Sequence, residues 1–462
     1  MQKNLFYGSL MDMLDSKDPL VVLADTIKWS KFEDEFAQYY SKEGRPAKPI
    51  RLMVGLLLLK QLENLSDENV VIAWKRNPYF QYFCGFSDFQ TALPCHSTDL
   101  VYFRNRIGKK GFEFIFKHSI EIHSNENLNE SQVIADTTIQ ESNLTYPTDG
   151  KLAIKIINHL HKIVKVENIK LRRSYIKEIK QHRINLRFFR HPKKIIKAKA
   201  SMKRLRTIAK TILRDIDRKF GDNLELHNKY ATKFYLYIRV LLQEKNTKNK
   251  IYSLHEIDAY AVNKGKDHKG YEYGTKASVV TTKNSGIIVG VSAHRENEHD
   301  SKTLKLALEN TISNLGSKTI NEVICDRGYR GSKQIIINNE TVIDISIPSN
   351  QQKKDTPEQI NIKKEKFRRR AAIEPIIGHL KSDHRMQRNY LKGFIGDQIN
   401  LLLAATAFNL KKWMNIYFYA FFTGNLFLLK EAYQQLQHQK ELIMFLLQLK
   451  ITMKFSNLEI KI

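Results

Sequence analysis

Five short, β-branched stretches constrain this chain more than any other feature, because a long interruption, about residues 142–256, separates the first of them from the other four. VIADTTIQ, in the stretch opening at Gln132, is apolar, rich in Val, Ile and Thr and too short for a helix, which is the pattern of a buried strand. The others are YEYGTKASVVTT (271–282), GIIVGVSAH (286–294), NEVICD (321–326) and VIDISI (342–347). Asn284-Ser285-Gly286 offers a hairpin turn between the second and third. A helix is predicted between the third and fourth, opening at Asp300-Ser301 and carrying Leu304, Leu306, Ala307, Leu308 and Ile312. Strands interspersed with helices make an α/β domain with a mixed sheet.

The interruption is strongly basic. From His161 to Phe220 there are 21 Lys or Arg against four acids, Glu167, Glu178, Asp215 and Asp217. That surplus of 17 is most of the chain's formal net charge of +28. Ile195, Met202, Leu205, Ile208, Ile212 and Ile216 repeat with helical period, and Pro192 divides the segment, so two basic amphipathic helices are predicted inside the α/β domain. A merely solvated face would mix the two signs. This one does not, and a polyanion is the partner that offsets such self-repulsion. Nucleic acid is therefore expected to meet this segment, with Lys203, Arg204 and Arg206 as candidate contacts.

Residues 1–125 read as helical. Pro49 opens IRLMVGLLLLKQLENL, Ser66-Asp67-Glu68 caps NVVIAWKRN, and Ser97-Thr98-Asp99 precedes LVYFRNRIGKK. Short helices with basic ends suit a DNA-binding or dimerisation module and a plain bundle equally. The N-terminus has no uninterrupted apolar core of a secretory signal. The stretch Trp413 to Leu429 is broken by Asn415, Gly424 and Asn425, short of the roughly 20 apolar residues a spanning helix needs. Residues 413–462 are expected to form an apolar helical extension, and no membrane is expected as partner. Three cysteines, Cys84, Cys95 and Cys325, without metal-ligand spacing point to buried thiols in a reducing cytosol.

Acidic side chains on buried strands are costly unless paired or bound to a cation. Asp136 lies inside the first strand and Asp326 ends NEVICD, just before Arg327-Gly328-Tyr329. Functional groups in open α/β sheets gather at the strands' carboxyl ends. Two such aspartates, if neighbours, can share a pair of Mg²⁺ ions about 4 Å apart. A third acid, Glu374, stands in FRRRAAIEPIIGHLK, where Phe367, Arg370, Glu374 and Lys381 are spaced 3, 4 and 7 apart and share one face of a helix. Pro375 predicts a kink or a helix start at that point. Arg370 and Lys381 would hold DNA phosphates beside the acid.

The pattern Phe367-x2-Arg370-x3-Glu374-x6-Lys381 resembles the C-terminal box of DDE transposases of bacterial insertion sequences, with Phe367 where a Tyr is usual. GRPAKPIRLMVGLLLLKQLENLSDENV resembles the N-terminal domain of the IS-five family, and KGYEYGTKASVVTT, NEHDSKTL, ICDRGYRG and RRRAAIEPIIGHLKSDHRMQRNYLKG resemble its core. The similarity covers about residues 40–412. It implies a ribonuclease H-like catalytic domain over 126–412, interrupted at about 142–256, in which Asp136, Asp326 and Glu374 coordinate two Mg²⁺ or Mn²⁺ ions. It further implies a cytoplasmic, nucleoid-associated enzyme that cleaves terminal inverted repeats and joins them to target DNA, as a homodimer spanning both ends. Arg327, Arg370 and Lys381 would touch DNA, and Asn297, His299 and Asp300 match a recurrent segment in which Asp300 is expected to cap its helix. The same fold also serves nucleases that cut without joining, and DNA-binding proteins that have lost the chemistry.

Overall fold

The computed structural model describes residues 9–418 apart from 42, 44–45, 124–127, 190, 245, 267–268, 317–319, 332, 338–340 and 348–354. The extension expected over 413–462 thus lies, beyond residue 418, outside the described residues. The described residues up to Phe103 and those from Ala407 on form one compact unit, and Arg104–Thr406 form a second.

The first unit is helical, as its caps and apolar runs predict. Its helices are α1 (Leu10–Met13), α2 (Pro19–Thr26), α3 (Trp29–Ala37), α4 (Ile50–Leu62), α5 (Asp67–Arg76) and α6 (Pro78–Phe83). Pro49 caps α4, which is buried all round from Leu52 to Leu62, the mark of a central helix. The Ser66 hydroxyl accepts the Asn69 N–H and starts α5 where the sequence places it. Helix α7 (Ser97–Glu121) begins at the third predicted start and is broken at Gly108, whose φ of 57° and ψ of −168° leave helical geometry.

The second unit carries an eight-stranded mixed sheet. Strand β1 (Gln132–Ser142) is followed by four helices, α8 (Asp149–Val166), α9 (Ile176–Asn185), α10 (Ile195–Phe220) and α11 (Leu224–Leu242). The insertion is therefore a four-helix module with its own core, not two basic helices. Leu205, Ile208, Ile212 and Ile216 of α10 pack against Ile156, Ile157 and Leu160 of α8 and Tyr230, Phe234 and Tyr237 of α11. The chain then returns to the sheet through β2 (Tyr260–Lys266), β3 (Lys269–Thr282), β4 (Ile288–His294), α12 (Asp300–Leu315), β5 (Glu322–Ile324), β6 (Gln334–Ile337) and β7 (Thr341–Ser346). Helices α13 (Pro357–Ala371) and α14 (Ile373–Ser382), the short β8 (Arg388–Asn389) and the part of a helix α15 (393–418) up to Thr406 complete it.

Strands β1, β3 and β4 form an antiparallel set, and β5 and β7 add parallel to the other side of β1. The strand path is β2-β3-β1-β5-β7-β6, with β4 also on β3 and β8 on β1. Strand β3 passes β1 so closely at one point that a Cβ on Gly274 would fall 2.0 Å from the Gln140 carbonyl oxygen, which only glycine permits. The far end of β1 is tied by the buried Asp397 of α15, which accepts hydrogen bonds from Thr275, Asn389 and Gln140. Burial pushes its carboxyl up to about 6 against those bonds. All three cysteines are buried free thiols.

Candidate active site

Strand pairing decides where the two aspartates stand. Strands β1 and β5 run parallel, with Val133 opposite Val323 and Ile134 opposite Ile324. Two residues farther along each of these segments come Asp136, still within β1, and Asp326, just past β5; both follow the end of the β1–β5 pairing and both are half-buried. Side-chain alternation gives Asp136 the face of Ile134. That face is covered by α14: Ile134, Ile324 and Ile373 form one fully buried cluster, with Ile377 against it. Glu374 follows Ile373 directly, so each element that carries an acid is fixed to the others by an isoleucine one or two residues before it.

Local hydrogen bonds hold the aspartates. Asp136 Oδ1 accepts the Thr137 N–H at 2.7 Å. Asp326 Oδ1 accepts the Gly328 N–H at 2.8 Å and caps a single 3₁₀ turn, Arg327–Tyr329. Two buried neighbours register their combined charge. The Cys325 thiol is pushed well above its ordinary range, first by burial and then by Asp326 and Asp136. The Tyr329 hydroxyl is pushed up in the same way, by burial first, with Cys325, Asp136, Asp300 and Asp326 adding to it. That hydroxyl is buried and makes no hydrogen bond among the described residues.

Glu374 stands differently. Its side chain is 59% exposed, and its Oε1 lies 3.0 Å from Arg370 Nη2. The break signalled by Pro375 falls at Ala372, between α13 and α14, yet Ala372 keeps αR geometry and the i, i+4 pair survives it. Helix α13 is itself anchored to β5 by Lys366, whose Nζ lies 2.8 Å from Glu322 Oε1. Burial raises the Glu322 carboxyl, but the bonds from Lys366 and Ser346 outweigh it and the net shift is downward. Among the described residues no three His, Cys, Asp or Glu side chains already close on one point as a metal cage would. Asp136 and Asp326, two half-buried carboxylates just past the β1–β5 pairing, offer hard oxygens. They fit Mg²⁺ or Mn²⁺, which keep several waters and need only one or two protein carboxylates.

The structure corrects the reading of Asp300. The cap of α12 is His299, whose side chain accepts the Ser301 N–H. Asp300 Oδ1 instead accepts the Thr137 hydroxyl at 2.9 Å and the Lys276 ammonium at 3.0 Å. His294, beside Lys276 on the sheet, is held neutral: burial first, then the Lys276 charge, lowers it to about 4. Asn297 is exposed. Neither Lys276 nor Thr137 stands out in the sequence; a Lys buried on a predicted strand was the available signal for a paired acid.

The candidate DNA contacts separate by environment. Lys203 is exposed on α10. Arg204 Nε is 2.6 Å from Glu178 Oε1, which ties α10 to α9. Arg206 Nη2 donates to the Leu241 and Gln243 carbonyls at 2.7 and 3.0 Å and closes the end of α11. Arg327 is exposed beside Asp326, and Lys381 is half-buried in the last turn of α14. Lys199, Lys203 and Arg214 are exposed on α10 at spacings that share a face, and sequence reasoning singled out only the middle one. Among the described residues no helix is long and apolar enough to cross a membrane.

Residues 8–106 match a family model described as Transposase domain (DUF772), and residues 246–410 match one described as Transposase DDE domain. An uncharacterized protein, ORF8 in the nfe locus of Rhizobium meliloti, is 38% identical over 194 residues, which is 41% of this chain and 94% of that protein. No solved structure matches the chain.

Proposed function

We propose that this chain, which belongs to the DDE transposase family, cleaves DNA at the ends of an insertion sequence with Asp136, Asp326 and Glu374 and joins the freed ends to target DNA. Enzymes of this family act on DNA and depend on divalent metal ions. The observation that carries the reading is the Ile134–Ile324–Ile373 cluster, which gathers three elements distant in sequence and leaves an acid just beyond each isoleucine. The strand path through β4, β3, β1, β5 and β7, with three antiparallel strands and two parallel additions, supports a ribonuclease H-like core.

Two Mg²⁺ or Mn²⁺ ions would supply activation of the attacking oxygen and neutralisation of the leaving one. Asp136 and Asp326, just past the β1–β5 pairing, would hold the cations. Glu374 would complete the set by leaving Arg370, whose guanidinium would then take a DNA phosphate bidentately in place of the carboxylate. Lys381 and Arg327 contact the flanking backbone, and the exposed face of α10 binds DNA farther from the cut. A homodimer brings two element ends together, in the cytoplasm on the nucleoid, and the resemblance of the N-terminal motifs supports the IS-five group as the subdivision.

The reading is tested with a labelled element end, Mg²⁺ and a target plasmid. The wild-type chain is expected to give both cleaved and joined strands. Glu374→Gln is expected to remove both products with DNA affinity nearly unchanged. Unaltered cleavage by the variant would reject the assignment of Glu374, and cleaved strands without joined ones would make the protein a nuclease.

A further inference from the structure

Asp300 is fixed as few surface acids are. One oxygen, Oδ1, is held by Thr137 Oγ1 and Lys276 Nζ, and Lys276 is itself buried and anchored to the Glu298 carbonyl. The other oxygen, Oδ2, has no partner among the described residues. It faces the Asp326 side: the position a Cβ would take on Gly328 is 3.1 Å from Asp300 Oδ2 and 3.0 Å from Asp326 Oδ1. The missing side chain of Gly328 therefore leaves a gap bordered by two carboxylates of the same sign. Lys276 offsets one charge in this corner, since it reaches Asp300 and not Asp326. The Tyr329 hydroxyl, 1% exposed and without a hydrogen bond among the described residues, lies in the combined field of Asp136, Asp300 and Asp326. A buried donor left unused beside clustered acids is costly, and such a group calls for a ligand that brings its own acceptors and positive charge.

We propose that Asp300 is a positioning carboxylate for the divalent cation of this site, acting from the Asp326 side through the cation's hydration water while Thr137 and Lys276 fix its direction. The proposal rests on the reading that Asp136 and Asp326 hold such a cation. Outer carboxylates of this kind orient the inner ones and the water around the ion, and their loss typically weakens metal binding roughly 10–100-fold. Lys276 has a second effect. Its charge opposes a nearby cation, so Asp300 both attracts the ion and screens Lys276 from it.

A double-mutant cycle on the full chain without DNA separates those roles, with Mn²⁺ affinity read from the paramagnetic resonance of free Mn²⁺. Asp300→Asn is expected to weaken Mn²⁺ binding roughly 10–100-fold. Lys276→Met is expected to leave it unchanged or tighter. The decisive comparison is the double variant with Lys276→Met alone, because removing both charges leaves no unpaired buried ion to unfold the protein. The double variant should stay about tenfold weaker or more. If it matches Lys276→Met, Asp300 is only the counter-ion of Lys276 and the proposal is overturned. Asp136→Asn and Asp326→Asn serve as the separate control: wild-type Mn²⁺ affinity in both would overturn the underlying cation site, whatever Asp300 does.

Discussion

Replacing Asp136 with Asn is expected to reduce Mg²⁺-dependent cleavage of DNA roughly 10³-fold or more, because charge stabilisation by a cation in phosphoryl transfer is worth several kcal/mol and each 1.4 kcal/mol is about tenfold. The amide keeps the shape of the carboxylate and its bond from the Thr137 N–H. It gives up the charge that a hard cation requires. DNA affinity in the absence of metal should hardly change, since the basic face on α10 belongs to other elements. Stability should not fall either. Asp136 and Asp326 both follow directly on the short β1–β5 pairing, and removing one of two like charges relieves repulsion. A variant that unfolds at the wild-type temperature, binds DNA and fails to cut it is the expected result, checked by gel-resolved cleavage beside a melting curve. Cleavage within tenfold of wild type would reject Asp136 as a cation ligand.

The second large effect concerns salt. With a net charge of +28 and a helical module that carries most of the surplus, binding should be dominated by phosphate contacts. If roughly 6–10 phosphates are engaged, affinity should drop roughly 10³–10⁵-fold between about 50 and 200 mM salt. Exposure selects the residues expected to set that slope. Lys199, Lys203 and Arg214 are exposed along one face of α10, so replacing each with Ala should reduce the salt slope by about 0.9 per contact. Arg206→Ala should behave otherwise. Its guanidinium is spent on the Leu241 and Gln243 carbonyls, so the expected loss is in the stability of the helical module, with the salt slope little changed. Fluorescence anisotropy across a salt series, with melting curves for each variant, separates the two classes.

These contrasts also mark how far the sequence can be read. Strands β1, β3, β4, β5 and β7 were legible because each is a β-branched run bounded by turn residues. Strand β2, YAVNKGK, was not, because its polar half sits at the sheet edge on β3 and carries no apolar period. The short QIII of β6 is recognisable only as the hairpin partner of β7. The insertion read as two helices because its charge drew attention to 161–220. The apolar faces of α8 and α11, outside or at the rim of that window, are what give it a core.

For the candidate site, Asp136, Asp326 and Glu374 could be named from strand-borne acids and from the spacing of the Arg370–Lys381 box. Their relation could not, because it depends on register, and Ile134 meets Ile324 and Ile373 only in the folded chain. The i, i+4 contact of Arg370 with Glu374 was legible as local geometry. The partners of Arg204 and Asp300 were not, since Glu178 lies 26 residues away and Thr137 163 residues away. An acid at a helix start usually caps it, and Asp300 departs from that rule because His299 takes the cap while a buried Lys claims the carboxylate.

The proposed chemistry depends on Glu374 leaving Arg370 to join Asp136 and Asp326 around bound metal. The most direct measurement is anomalous scattering from Mn²⁺ in crystals of the chain bound to an uncleaved element end. The expected result is Mn²⁺ within about 2.2 Å of Asp136 and Asp326 oxygens, with Glu374 turned toward the same ions and Arg370 on a phosphate. Mn²⁺ located elsewhere, or held there while Glu374 remains paired with Arg370 at the scissile bond, would contradict the account.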